Sequence, residues 1–264
     1  MFGWQLAAAA LSRDQLDAGC DDISSLGHGR WFAEGLVPEN IRLPICNASS
    51  SSLNASTALP YVYIHGTEVF VTQLLNAFAP GNSTPYDYLC ENLRFLSLDS
   101  FRLKDARVVN ATCGMADRQQ QPRPEGPMVV LNTNATAAYT DAISTLFGLM
   151  FASSATTDSQ LDIYCAHVPE YVPALDAMLL NGALVASTIC NTTVPLTVAQ
   201  STEAIRTWAS KAFAIAIAGS SNVSGWMSWL CTNLDAESLN SVGLDGKAIS
   251  ADISGDADTS SGRK

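Results

Sequence analysis

Hydrophobic positions recur at fixed distances from the cysteines of this 264-residue chain. Three stretches run from an opening to a closing cysteine, and a fourth runs from Cys231 to Ser254. The shared positions are a leucine ten residues before the closing residue (Leu36, Leu103, Leu180, Leu244), a β-branched residue five before it (Ile41, Val108, Val185, Ile249) and an aliphatic residue three after the opening cysteine (Ile23, Leu93, Val168, Leu234). Because all three features hold in all four stretches, the pattern predicts a diverged internal repeat.

Helical periodicity dominates inside each predicted repeat. A first, largely apolar helix is predicted at 68–79, 137–152 and 203–218. The opening cysteine lies on a second helix, and the closing residue ends a third. Three proline-led runs, LPYVYI from Leu59, GPMVVL from Gly126 and VPLTVA from Val194, are rich in β-branched and aromatic residues and predict short extended connectors. The expected fold class is mainly α, with four disulfide-stapled helical repeats 66 to 75 residues apart.

The repeat divides the chain into five segments. Repeat 1 covers 1–56 and lacks the leading extended run, repeat 2 with a proline-rich linker covers 57–123, repeat 3 covers 124–192 and repeat 4 covers 193–254. The polar segment 255–264 is predicted to be a disordered tail. One repeat alone buries too little surface to be stable without its disulfide, so we expect neighbouring repeats to stack.

Seven cysteines leave one without a partner. Six cysteines allow fifteen connectivities, and the repeat register favours the pairs within each repeat. The predicted pairs are Cys20–Cys46, Cys90–Cys113 and Cys165–Cys190. Each would close a loop of roughly 25 residues and stabilise the fold by about 3 kcal/mol. Cys231 is the unpaired thiol: it is predicted to be buried and free, with an intermolecular bridge or a partner elsewhere as the alternatives.

Seven Asn-x-Ser/Thr sequons accompany the cysteines, at Asn47, Asn54, Asn82, Asn110, Asn134, Asn191 and Asn222. Asn47 and Asn191 each follow a closing cysteine directly, so these two sequons occupy equivalent positions in their repeats. Sequons together with paired cysteines predict N-glycosylation and an extracellular, secreted location. The opening stretch MFGWQLAAAALS lacks a basic segment and aligns with the first helix of the other repeats, so we interpret it as part of repeat 1 rather than as a signal peptide.

Charge and motifs exclude several classes of function. The net charge of −11 argues against binding to nucleic acid or to an anionic membrane, and no apolar run reaches the roughly 18 residues of a membrane span. The three histidines stand in different registers, so neither a metal nor a cofactor is predicted. The run YVYIHGT around His65 resembles the oxyanion segment of esterases, but the chain has no G-x-S-x-G motif, and we interpret His65 as a turn residue between a strand and a helix.

Three tryptophans, Trp208, Trp226 and Trp229, are of a type that stacks on sugars, but their helical context favours packing in the core or between repeats. The stretches WLCTNL…VGLDGKAISADIS and YLCENL…VVNATC resemble secreted fungal cysteine-containing helical repeat proteins, a resemblance that implies the architecture and carries no activity. Repeat 1 departs from this resemblance, because Gly19 rather than a leucine precedes its opening cysteine.

These features predict a non-enzymatic structural protein that assembles with itself into a wall, matrix or filament. Stacked repeats have unlike ends, and contacts between unlike ends propagate. A neighbouring chain would add the extended segment that repeat 1 lacks. The alternative is a secreted module that binds a lipid, sterol or glycan between helices, and a secreted hydrolase is third.

Overall fold

The computed structural model describes residues 55–78, 89–90, 98–113, 133–219 and 225–261. In these ranges the secondary structure is helical throughout, with nine α-helices, one 3₁₀ turn at Leu98–Phe101 and no strand. The α-helices are α1 (Ala55–Ala77), α2 (Asp105–Cys113), α3 (Thr133–Ala152), α4 (Asp158–Ala177), α5 (Gly182–Asn191), α6 (Val198–Gly219), α7 (Trp226–Asn233), α8 (Ala236–Ser241) and α9 (Gly246–Ser261). The mainly α fold class is confirmed. Almost all of repeat 1, including Cys20, Cys46 and His28, lies outside the described residues, so the fourfold repeat and its boundaries stay predictions.

The chain divides into two compact units, and neither is continuous in sequence. The first unit comprises Met1–Tyr63 and Thr140–Trp208, and the second comprises Ile64–Tyr139 and Ala209–Lys264. The described part of the second unit therefore comes mainly from predicted repeats 2 and 4, which are not neighbours along the chain.

The core of the second unit is built from the apolar faces of α1, α2, α6, α7, α8 and α9. Phe70 on α1 packs against Phe213 on α6, with ring centroids 5.5 Å apart. The backbone N–H of Asp235 donates to the carbonyl of Ala77 at 2.8 Å, which joins the end of α1 to the start of α8. Repeats 2 and 4 thus share one hydrophobic core, where the sequence predicted stacking of consecutive repeats.

In the first unit, α4 and α5 form a helical hairpin, and α3 packs against it. A Cβ atom added to Gly148 of α3 would lie 2.8 Å from the Cβ of Thr188 and 3.1 Å from the carbonyl oxygen of Val185, both on α5. A real Cβ atom does not approach another carbon to 2.8 Å, so a larger residue at position 148 would push α3 and α5 apart. A smaller cluster of Ala152, Ala155 and Leu161 continues the packing toward α4.

The prediction of an extended connector at 59–64 is wrong, because LPYVYI lies inside α1. His65 is also inside α1, so its interpretation as a turn between strand and helix is wrong too. The preference of Val, Tyr and Ile for strands depends on context, and burial within a helix outweighs it here: Val62 is only 9% exposed. The run from Val194 forms no strand either, since α6 already begins at Val198. The run from Gly126 lies outside the described residues.

The first helices of the repeats otherwise lie close to their predicted positions. Helix α3 ends at Ala152, as the sequence predicts, and α6 ends at Gly219, one residue after the predicted end. Both helices begin four or five residues earlier than predicted. Among the described residues, no helix combines the length and apolar character needed to cross a bilayer.

Candidate functional site

The same turn occurs before the third helix in three of the predicted repeats. The residue just before the recurring leucine has a left-handed backbone in each: Arg102 (φ 61°), Leu179 (φ 64°) and Gly243 (φ 80°). Each leucine then donates its N–H to the carbonyl five residues earlier: Leu103 to Leu98 at 3.1 Å, Leu180 to Leu175 at 3.1 Å and Leu244 to Leu239 at 3.2 Å. This bond and the left-handed residue before it are the features of a Schellman motif, which ends a helix and reverses the chain.

A buried hydroxyl on the first helix holds each of these turns in place. The residue after the leucine donates its backbone N–H to that hydroxyl: Lys104 to Thr67 at 3.0 Å, Asn181 to Ser144 at 2.8 Å and Asp245 to Ser210 at 2.7 Å. The three hydroxyl residues are at most 1% exposed. Because a buried N–H without a partner is costly, each bond fixes the height at which the third helix starts against the first.

The side chain after the leucine also caps the third helix in two of the three cases. The side-chain oxygen Oδ1 of Asn181 accepts from the N–H of Leu184 at 3.1 Å. Asp245 accepts from the N–H groups of Lys247 and Ala248 at 3.1 and 3.0 Å. These bonds satisfy N–H groups that the first helical turn leaves open. In repeat 2 this position holds Lys104, which has no acceptor atom in its side chain.

The third helix buries the positions that the repeat pattern singles out. The leucine is at most 5% exposed in all three repeats, and the β-branched residue five positions later, Val108, Val185 or Ile249, is 0% exposed. The residue before the closing position is buried as well, and it is Thr112, Ile189 or Ile253. The burial of these positions agrees with the repeat register in every part of the chain where it can be compared.

Disulfides join the second and third helices where the register places them. Cys90 is bonded to Cys113 with Cα atoms 5.7 Å apart, and Cys165 is bonded to Cys190 with Cα atoms 4.8 Å apart. Both distances fall in the usual range for a disulfide. The pair Cys20–Cys46 lies outside the described residues. A loop of about 25 residues is closed at each described bridge, so these bonds restrict the unfolded chain as well as the folded one.

The fourth position keeps the geometry of a bridge without the bond. Cys231 is a free, half-buried thiol, and the Ser254 hydroxyl donates to its sulfur at 3.1 Å. Ser254 therefore lies where a closing cysteine would lie, on the third helix of repeat 4. The thiol is less buried than the sequence suggested.

Three of the seven sequons lie in the described residues, and the asparagine is exposed at each. Asn110 is on α2, Asn134 is in the first turn of α3, and Asn191 is the last residue of α5. The other four, Asn47, Asn54, Asn82 and Asn222, lie outside the described residues. An exposed amide is the condition for carrying a bulky glycan on the folded protein.

Each described histidine lies within hydrogen-bonding distance of a glutamate three residues further on, at an exposed position. His65 Nδ1 lies 3.1 Å from Glu68 Oε2, and the other oxygen of Glu68 pairs with Arg107. His167 Nδ1 lies 3.3 Å from Glu170 Oε1. Exposed pairs of this kind contribute little to stability. Within a helix the backbone N–H groups near His65 are engaged in the i to i−4 pattern, so this segment does not form an oxyanion hole.

Two titratable side chains in the second unit have shifted pKa values, and the surrounding structure explains both shifts. Burial raises the pKa of Tyr139 to about 12, and the nearby Arg102 charge only partly opposes this. Its ring meets Phe101 edge to face at 5.4 Å. A hydrogen bond from the Ser238 hydroxyl lowers the pKa of Asp235, the residue that caps α8. No cluster of metal-binding side chains occurs among the described residues.

Two tryptophans of repeat 4 pack together in the hydrophobic cluster of the second unit, Trp226 fully buried and Trp229 partly buried. Trp226 is 0% exposed, and its indole N–H donates to the carbonyl of Ile217 at 2.9 Å. Its ring stacks on that of Trp229 at 5.3 Å, and Trp229 in turn contacts Phe78 at 5.1 Å. These two rings belong to the core, as the sequence interpretation favoured, and Trp208 is half-buried on α6.

The sequence interpretation missed the three buried hydroxyls that hold the turns. Counted back from the closing position, Thr67 and Ser144 stand 46 residues before it, and Ser210 stands 44 before Ser254. A phenylalanine follows three residues later in each case: Phe70, Phe147 and Phe213. Alignment on the closing residue matches the Ser/Thr-x-x-Phe pattern of Thr67 and Ser144 and leaves that of Ser210 two residues out of register. Hydrophobic periodicity does not register a small hydroxyl side chain at all.

In its described part, the chain is a mainly helical protein with two disulfides that join pairs of helices and three sequons whose asparagines are exposed. No family model, no curated protein and no solved structure matches the chain. The local geometry therefore carries the functional argument.

Proposed function

We propose that the protein is an extracellular, N-glycosylated structural subunit that assembles with itself into a wall, matrix or filament. The observation that carries the proposal is the contact between Phe70 and Phe213, whose ring centroids lie 5.5 Å apart. Each phenylalanine lies three residues after the buried hydroxyl of its own segment, so the two occupy equivalent positions. A repeat face that packs against its own counterpart is self-complementary.

Self-complementary faces within one chain offer the same contact between chains. If the repeat 4 segment of one chain separates from its own repeat 2, it can pack in the same way against repeat 2 of a neighbouring chain. Such an exchange of identical elements is a low-cost route to oligomers. When each chain gives its segment to one neighbour and receives a segment from a different neighbour, the exchange continues from chain to chain. This route replaces strand addition, because the run at 59–64 is helical.

Exposed aliphatic side chains in the first unit supply further contact area. Ile163 and Val194 are 55% and 59% exposed. Covering such side chains against another chain is favourable by roughly 25 cal/mol per Å² of apolar surface. The disulfides and exposed sequons support an oxidising, extracellular setting, in which the disulfides of an assembled protein persist. A structural role needs no convergent catalytic groups, and we therefore favour it over hydrolysis.

The test is the molar mass as a function of concentration, measured by size-exclusion chromatography with light scattering. We expect the mass to rise above that of the 28.0 kDa chain as the protein is concentrated. Ile163→Ser and Val194→Ser should weaken the association without lowering the melting temperature, and Thr193→Ser, an exposed change that keeps the Asn191 sequon, is the matched control. A monomer at every concentration, glycosylated and with its disulfides intact, would rule out self-assembly.

A further inference from the structure

Thr112, on α2, is a polar residue in a position that its counterparts fill with isoleucine. It precedes the closing Cys113, as Ile189 and Ile253 precede theirs. Thr112 is 7% exposed, and its Oγ1 finds no hydrogen-bond partner among the described residues. A buried hydroxyl without a partner destabilises a fold, whereas Val or Ile at the same place does not. Packing therefore does not explain why this residue is a threonine.

Two residues earlier on the same helix stands Asn110, which is exposed. Asn110, Ala111 and Thr112 form a sequon, and a sequon requires a hydroxyl at its third position. Residues two apart on a helix lie on nearly opposite sides, so the folded helix presents the amide to solvent and hides the hydroxyl. A modifying enzyme can therefore recognise this sequon only while residues 110–112 are still unfolded, before α2 has formed.

The other described sequons lack this conflict. At Asn134 the third residue, Thr136, is half-buried, and at Asn191 the third residue, Thr193, is exposed. In those places a threonine is compatible with its surroundings and indicates nothing about modification. At Asn110 the sequon hydroxyl is present although its buried surroundings offer it no hydrogen-bond partner among the described residues.

We propose that Asn110 carries an N-linked glycan, attached before α2 folds, and that this modification is the reason for a threonine at position 112. The amide Nδ2 of Asn110 bonds to the anomeric carbon of an oligosaccharide carried on a lipid pyrophosphate. The bond from that carbon to the pyrophosphate oxygen breaks, the lipid pyrophosphate leaves, and the amide loses one proton. The inference rests on the proposed secretory location, and it assigns the modification to a particular residue.

Site occupancy in secreted protein tests this assignment. The full chain, with a supplied leader, is expressed in a eukaryotic host, deglycosylated enzymatically in ¹⁸O water and mapped by peptide mass spectrometry. We expect labelled aspartate at position 110 in the wild type and in Thr112→Ser, and none in Thr112→Val, whose other sequons should be unchanged. An unmodified Asn110 beside a modified Asn134 or Asn191 would overturn the assignment alone. Secreted protein without a glycan at any sequon would overturn the proposed glycoprotein as well.

The melting temperature tests separately whether the buried Thr112 hydroxyl destabilises the fold, independently of the glycan. In the Asn110→Gln background, where position 110 carries no glycan with or without the hydroxyl, Thr112→Val should raise the melting temperature by about 2–4 °C for each kcal/mol that removal of the unpaired hydroxyl contributes. Asn110→Gln, which removes the glycan and leaves the buried hydroxyl, should show no such rise. A melting temperature lowered by Thr112→Val would show that the fold itself requires the threonine, and the inference would fail.

Discussion

Ser254→Cys would place a thiol beside the sulfur of Cys231, at the one position where the repeat pattern lacks its disulfide. The Ser254 hydroxyl already lies 3.1 Å from that sulfur, and the two residues are 23 apart in sequence. The side chains therefore face each other across the second and third helices of repeat 4. We expect the variant to form a third described bridge without rearranging the backbone.

The size of the effect follows from the loop that the bridge would close. A loop of this length lowers the entropy of the unfolded chain enough to stabilise the fold by about 3 kcal/mol. For a domain of this size, about 3 kcal/mol corresponds to a rise of roughly 6–12 °C in melting temperature. The Ser254 hydroxyl is exposed, so its loss adds little to this balance.

The assay combines thiol titration with thermal unfolding under oxidising conditions. The wild type should show a reactive thiol at Cys231 after unfolding, and peptide mapping of Ser254→Cys should show no reactive thiol at position 231 or 254. Ser254→Cys combined with Cys231→Ser is the control, because it has a thiol at 254 and no partner; it should melt as the wild type does. If Ser254→Cys keeps two titratable thiols, or forms the bridge and melts at the wild-type temperature, then repeat 4 does not share the geometry of repeats 2 and 3.

Three further predictions concern the turn and the caps of repeat 4. Ser210→Ala leaves the Asp245 N–H without its acceptor and should lower the free energy of unfolding by about 1–3 kcal/mol in urea titration, while the exposed change Ser241→Ala should stay within about 0.5 kcal/mol. Gly243→Ala meets open space but keeps a φ of 80°, so denaturation should show a loss of about 1 kcal/mol; Gly255→Ala, inside α9 and also in open space, should show a gain of about 0.5–1 kcal/mol, and equal effects would contradict the backbone explanation. Asp235 has a lowered pKa in the folded state, so the stability it provides is complete above its unfolded pKa and is lost as the pH falls through the folded value. Asp235→Asn keeps a capping oxygen and should flatten the dependence of melting temperature on pH below about pH 4; an unchanged acid profile would contradict this role.

Burial of the third helix could be predicted from the sequence because apolar side chains recur there at helical spacing. Leu180 and Val185, for example, stand where the register places them, and they are 5% and 0% exposed. The disulfide partners followed from the same register, since Cys165 and Cys190 occupy matching places in their repeat. Helical hydrophobic spacing and the disulfide partners both lie within one repeat, so both can be predicted from the sequence alone.

The arrangement of the repeats was less accessible, because it depends on contacts distant in sequence. Phe70 and Phe213 join segments of repeats 2 and 4, and no local signal distinguishes that pairing from stacking on the next repeat. The strand preference of the run at 59–64 does not decide its structure, because that preference is weak beside burial in a long helix. The hydroxyls of Ser144 and Ser210 escaped notice because small polar residues are common on surfaces and only their burial reveals their role.

Self-assembly is the central claim, and native mass spectrometry of protein purified from its source tests it most directly. The account predicts a ladder of oligomers whose masses are multiples of one glycosylated chain, with no small molecule retained after gentle desolvation. A single monomeric species that carries a stoichiometric lipid, sterol or glycan ligand would contradict it and would establish the protein as a binding module.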